Sequence, residues 1–297
     1  GRIQLQVGGR DQTVAAGGLG GAAARAGIAG AALALSGASL QGIFRNPLVD
    51  PHVIGVTSGV AFGGTMAIFL GLGIYGLFFS TLLAGLVTLV LIFVFSHRLI
   101  QRSLLMLILT GMIISGFFSA LVSLLQYLSD TEDKLPSIVF WLMGSFATSN
   151  PQKLLMLVVP VTLCSVVLLG LRWRMNLLSL GEREARALGV NIRPLRWLVI
   201  FCSGMLVASQ VAVSGSIGWV GLIIPHLSRM LVGANHQQLL PCTLLMGALY
   251  LIIVDTLART LSTSEIPVSI ITSLLGAPLF AVLVYQLRRG QKEQFSE

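Results

Sequence analysis

Residues able to do chemistry are scarce in this chain, and they gather in three places. The densest is the interval 172–196, RWRMNLLSLGEREARALGVNIRPLR, which holds six arginines and two glutamates. Within it, GEREARALG predicts a short helix, with Gly181 as the break before it and Gly189 as its C-terminal stop. Leu178 leads into it; Leu180, Ala185 and Leu188 can form an apolar ridge, and Glu182, Arg183, Glu184 and Arg186 a polar rim. So short a helix is not stable alone and must pack on something. The second place is Asp255 and Arg259, four apart and therefore on one helix face. Charge inside an apolar run is a functional hypothesis by default, and a self-satisfied ion pair is its rival. Glu265, in the adjacent loop, reads as a cap or brace. The third is RNPLVDP, residues 45–51, where Pro47 and Pro51 cannot continue a helix.

Equally informative is what is missing. The lysines 134, 153 and 292 follow Asp, Gln and Gln, so there is no Gly-Lys-Ser/Thr phosphate loop. No HExxH occurs, and the histidines 52, 97, 226 and 236 are scattered. His226, in IIPHLSR, reads as a structural hydrogen-bonder. A GxSxG nucleophile elbow is absent as well. Cys164, Cys202 and Cys242 stand singly with no CxxC spacing, which supports core packing over disulfides or a metal site. The polypeptide carries no catalytic motif, and the reading is that it is not an enzyme.

The elements that must position these groups are membrane-grade. Of 297 residues, 55% are hydrophobic and 10% charged, with mean hydropathy +0.89; a soluble domain carries about 25% charged residues. Residues 1–20 read as an irregular or poorly specified N-terminus. Residues 21–289 read as one transmembrane domain, and 290–297 as a tail. From Ala22 to Gly42 the chain is a helix of small residues, whose spacing lets neighbours approach closely in lipid. Apolar runs follow near 52–72, 74–96, 103–128, 136–147 (short), 152–171, 194–214, 219–232 (short), 239–261 and 268–287. That makes eight full spans and two shorter helices, an all-α polytopic architecture. The net charge of +8 would suggest nucleic acid in a soluble protein, but here the arginines sit at the ends of apolar runs. Arg45, Arg98, Arg102, the six of 172–196, Arg229 and the basic tail fall on one side. Lys134, Lys153 and Arg259 fall on the other, with the acidic Asp130, Glu132 and Asp133. Positive charge holds loops in the cytoplasm, which places 172–196, 97–102 and the C-terminus there. The expected partner is the lipid bilayer, not nucleic acid.

Five short motifs stand in order: RNPLVDPHVIGVTSG (45–59), GEREARALGV (181–190), GWVGLIIPHLSR (218–229), DTLAR (255–259) with EIPVS (265–269), and LGAPLF (275–280). Together they resemble the permeases of the iron-chelate and cobalamin class of ABC importers, over roughly Gly30 to Arg289. The resemblance implies a homodimer in the bacterial inner membrane, with about ten helices per subunit and a substrate path along the dimer axis. Two cytoplasmic ATP-binding subunits would use ATP and magnesium to drive it, this chain binding no cofactor. A periplasmic binding protein would deliver the solute, an iron–siderophore, haem, cobalamin or an oxyanion such as molybdate. By the same resemblance, Leu178, Leu180, Gly181, Glu182, Arg183, Glu184, Ala185, Arg186, Leu188 and Gly189 form the contact that couples to the ATPase. Asn46, Pro47 and Leu48, with Ser103 and Leu105 as a weaker addition, form a cytoplasmic gate. Arg259, with Asp255, receives an acidic residue of the binding protein. The family places a further spanning helix and an Arg-Leu-Pro-Arg-like stretch ahead of the small-residue helix, and neither is recognisable here. Two rivals remain. An ion-gradient-driven transporter needs inverted repeats and charged midplane residues, and an intramembrane enzyme needs a catalytic constellation.

Overall fold

The computed structural model describes residues 4–52, 54–99, 104–146, 151–261 and 265–294, and among these there is no strand. The helices are α1 (Gln4–Phe44), α2 (Val56–Phe69), α3 (Ile74–Leu99), α4 (Leu104–Leu128), α5 (Lys134–Leu142), α6 (Pro151–Ser179), α7 (Glu182–Ala187), α8 (Ile192–Ser214), α9 (Val220–Val232), α10 (His236–Thr260) and α11 (Val268–Gln294).

Among the described residues, six helices are long and apolar enough to cross a membrane: the 20–44 part of α1, most of α3, α4 and α6, and all of α8 and α10. Of the eight runs read as full spans, 52–72 does not form one. The 52–72 run splits into a turn and the 14-residue α2, because Pro51 and the left-handed Gly55 delay the helix start. In α11 the described apolar stretch, Val268–Val282, belongs to a helix that runs to Gln294. The first and last helices also run beyond the apolar stretches. Residues 4–20, expected to be irregular, continue the helix of α1; the stretch contains no proline to break it. The tail is helical through Gln294, since leucine, arginine, glutamine, lysine and glutamate are all good helix formers.

α1 is the hub. Its spanning part is 89% buried, against 28% for α4 and for α6, so it sits inside the bundle while those two line its outside. It is surrounded by α6, α8, α9 and α10, with α10 its most extensive neighbour. The small-residue sequence explains how. A Cβ on Gly30 would lie 2.1 Å from the carbonyl oxygen of Gly247 in α10, and one on Gly37 would lie 1.8 Å from that of Gly221 in α9. Only glycine permits backbones this close, and in lipid such contact is the main source of helix association.

The α5–α6 connection is tied inward at the end opposite the arginine-rich interval. Ser145 N donates to Ser214 O (2.9 Å), Val268 N to Gly144 O (3.0 Å) and Ser269 N to Met143 O (3.3 Å). One short segment thus holds the end of α8 and the start of α11.

Candidate functional site

The 172–196 interval is two helix ends and a small helix between them. α6 runs to Ser179 and α8 starts at Ile192, so Arg172 and Arg174 lie on α6, and Arg193 and Arg196 on α8. The loop proper is 180–191, shorter than the charge pattern suggested, because an arginine tolerates a helix end as readily as a loop. α7 is bracketed by glycines in conformations an L-residue avoids, Gly181 at φ 134° and Gly189 at φ 82°. Beyond its last turn, Gly189 N donates to Arg186 O (3.0 Å) and Val190 N to Ala185 O (2.9 Å), closing the helix with a left-handed cap.

The packing divides the expected apolar ridge. Leu178 and Ala185 are fully buried in the chain's own core, with Val190 beside them, whereas Leu180 (62% exposed) and Leu188 (57%) face outward. Leu180 and Leu188 lie outside the six-residue helix, Leu188 as its C-cap, so helical phase does not hold them on the face of Ala185. The outward surface is therefore Leu180, Arg183, Glu184, Arg186 and Leu188, two leucines flanking three charges. Glu182 is held from two sides, by Arg186 at 3.6 Å and by Arg196 of α8 in a shorter contact. Arg196 clamps the start of α7. The two residues are fourteen apart across a turn, so no helical spacing announces the pair.

At the same end of the bundle, the 45–51 turn is internally hydrogen-bonded. Asn46 Oδ1 accepts from Leu48 N (2.9 Å), and Asn46 N donates to Gln41 O (3.1 Å). This is the side-chain-to-backbone turn that asparagine favours. Val49 is buried, while Pro47 and Leu48 are exposed. Leu105 lies in the first turn of α4; Ser103 lies outside the described residues.

The other end carries the Asp255–Arg259 pair, and there the ion-pair reading holds. Arg259 Nε donates to Asp255 Oδ2 (3.0 Å) and Nη2 to Oδ1 (3.2 Å), a two-pronged contact. Glu265 adds a second carboxylate at 3.6 Å, so it braces Arg259 rather than capping a helix. The Arg259 side chain is 18% exposed and Asp255 6%. Arg25 is buried on α1 and donates to Phe146 O (3.0 Å). It lies within electrostatic reach of both Asp255 and Arg259.

Residues 22–286, nearly the whole described bundle, match the FecCD transport family. The chain belongs to that family. The molybdate import system permease protein MolB of Haemophilus influenzae is 74% identical over 261 residues, 88% of this chain and 77% of that protein. The hemin transport system permease protein HmuU of Yersinia pestis is 40% identical over 271 residues, 88% of this chain and 80% of that one. A solved chain assigned to the metal-chelate type of ABC transporters, in an inward-facing conformation, superposes with a TM-score of 0.86 at 71% identity, covering 89% of this chain and 85% of that one. As a FecCD member the chain is the membrane permease of an ABC importer, a multi-pass transporter subunit with an all-helical fold. The five motifs pointed to this family because they are the breaks and close contacts of the bundle: the 45–51 turn, the α7 cap, the α8–α9 junction, the ion pair and the Gly276 contact with Trp219.

Proposed function

We propose that this permease imports a tetrahedral oxyanion of the molybdate class. It would work as a homodimer in the bacterial inner membrane, with two ATP-binding subunits on the arginine-rich side and a periplasmic binding protein on the other. The observation that carries the substrate is the 74% identity to a molybdate permease, against 40% to a hemin permease. A metal chelate is the second reading, favoured by the 71% identity to the metal-chelate type chain.

In this reading, closure of the ATP-binding subunits pushes on α7 through Leu180, Arg183, Glu184, Arg186 and Leu188. Leu178, Gly181, Ala185 and Gly189 hold that surface in shape, and Glu182 ties it to α8. Displacement of α6 and α8 tilts the spans along the dimer axis. The 45–51 turn, with Asn46, Pro47 and Leu48, opens and closes the cytoplasmic mouth, with Ser103 and Leu105 as further candidates. Arg259 and Asp255 lie under the docked binding protein. ATP and magnesium act in the partner subunits, and this chain holds no cofactor.

The test is reconstitution of the chain with its co-expressed ATP-binding subunits and binding protein in proteoliposomes. The expected result is ATP-dependent uptake of molybdate that requires the binding protein. Uptake of an iron–siderophore, haem or cobalamin in its place would overturn the oxyanion assignment. Transport by the chain alone on a proton gradient would overturn the ABC reading itself.

A further inference from the structure

A chain of contacts, part-buried at its centre, joins the root of the α7 loop to the 45–51 turn. It starts at Asn176, one turn before the end of α6. Ser179 Oγ donates to Asn176 O (2.6 Å), Leu180 N to Leu177 O (3.2 Å) and Gly181 N to Leu178 O (3.2 Å), so the lead-in to α7 is fastened onto this turn. The Asn176 side chain reaches across to α10. Its Oδ1 accepts from His236 N (2.7 Å) and sits 2.9 Å from His236 Nδ1, while its Nδ2 donates to Asn235 Oδ1 (2.7 Å). With Oδ1 already assigned as an acceptor, the imidazole carries its proton on Nδ1. Its Nε2 edge then faces α1.

There the ring meets Gly42. A Cβ at Gly42 would lie 2.3 Å from His236 Nε2 and 3.1 Å from Met175 Cε, so the histidine and α6 both bear on the last turn of α1. His236 is 7% exposed and Met175 fully buried. One residue earlier, the Gln41 side chain donates to Gly221 O of α9 (3.3 Å) and accepts from Arg229. Its main-chain oxygen accepts from Asn46 N (3.1 Å). The contacts therefore run from the α7 lead-in through Asn176, His236 and Gly42–Gln41 to Asn46.

We infer that Asn176 and His236 are the positioning residues that transmit displacement of the coupling helix to the gate turn. The inference rests on the roles proposed above for α7 and for 45–51. Three features favour transmission over simple bundle stability. The contacts are hydrogen-bonded at every step except His236 against Gly42, which is steric. They engage the ends of α6, α10 and α1 before reaching the turn at Asn46. They also close on a glycine whose missing side chain leaves the imidazole directly against the α1 backbone, so movement of α10 is not absorbed by a soft side chain. A contiguous network becomes a transmission path only when energetic coupling across it is demonstrated, so the test measures coupling.

The reconstituted importer, with both partner components, is assayed for binding-protein-stimulated ATP hydrolysis and for solute taken up per ATP hydrolysed. Asn176→Ala and His236→Ala should keep stimulated hydrolysis within about twofold of the unaltered complex and lower uptake per ATP at least fivefold. Asn176→Asp, which keeps both acceptor contacts to His236, should recover most of the ratio. Gly42→Ala should lower the ratio by forcing the imidazole away, and Gly42→Ala combined with His236→Ala should do better than either alone, because the new methyl occupies the vacated space. Gly189→Val serves as the reference, expected to lose stimulated hydrolysis and uptake together. If the Asn176 and His236 variants couple normally while Gly189→Val fails, the transmission inference is wrong and the coupling-helix reading stands. If Gly189→Val also couples normally, the coupling-helix reading itself falls. Should His236→Ala not survive purification, Asn176→Asp and Gly42→Ala decide the matter by the same ratio.

Discussion

The two ends of the bundle use their charges in opposite ways. At the α7 end, Arg183, Glu184 and Arg186 point outward, while a fully buried Ala185 fixes the helix from beneath. At the Asp255 end, Arg259 is gripped by two carboxylates and mostly shielded. An exposed charge on a glycine-bracketed helix adds little to the stability of its own chain and remains available to another. A shielded, two-pronged pair is committed internally and can serve a partner only by exchanging one carboxylate for another. The first end is a permanent surface, the second a conditional one.

The comparison breaks most visibly at Gly189. At φ 82° a β-branched residue is strained, at a cost of about 1–2 kcal/mol, and a six-residue helix has little stability of its own to offset it. Nothing lies within 4 Å of the added Cβ, so the effect is on backbone direction and not on packing. Gly189→Val should leave membrane insertion and the thermal midpoint of the isolated permease nearly unchanged and reduce ATP-driven uptake at least tenfold. Wild-type uptake would show that the α7 cap is not needed for coupling. Glu184→Arg, which reverses charge on the outward face, should have a similar sign and a smaller size, about threefold to tenfold.

At the other end the informative pair of variants is Arg259→Gln and Asp255→Asn. Removing one partner of a shielded pair costs about 3–5 kcal/mol when the other charge is left uncompensated. Glu265 near Arg259, and Arg25 near Asp255, reduce that cost. Both variants should therefore fold with a lowered thermal midpoint. Their effects on binding-protein capture, measured by pull-down, should diverge. Arg259→Gln should weaken capture several-fold, whereas Asp255→Asn frees the guanidinium and should leave capture equal or stronger. Equal capture by both variants would reduce the pair to a structural brace.

How far the sequence announced this molecule follows from the same contrast. Features made by local spacing were legible: the α7 helix between Gly181 and Gly189, the Asp255–Arg259 pair, the turn at Pro47 and the close-packing small-residue face of α1. Features made by tertiary approach were not. The inward rotation of Ala185 depends on where α6 and α8 leave α7. The Glu182–Arg196 clamp spans a turn, and the Asn176–His236 contact joins residues sixty apart. Cys164 and Cys202, single in the sequence, come into side-chain contact across α6 and α8. Span counting failed for a different reason, since hydropathy does not distinguish a helix that crosses from one that stops short behind Pro51 and Gly55.

The smallest expected effect tests the clamp that links the open end to the bundle. Glu182 meets Arg186, whose side chain is 69% exposed, and Arg196, whose side chain is 34% exposed. An exposed i,i+4 pair contributes about 0.3–0.5 kcal/mol, so Arg186→Ala should change uptake by less than about twofold through this contact. Arg196 acts across the loop and sets where α7 begins relative to α8, so its loss has no local substitute. Arg196→Ala should lower uptake about twofold to fivefold, and Arg196→Lys should restore part of it, because lysine keeps the charge without the guanidinium's fork. If Arg186→Ala proves the more damaging, the outward face of α7 outweighs its tether, and Arg186 belongs to the partner surface in its own right.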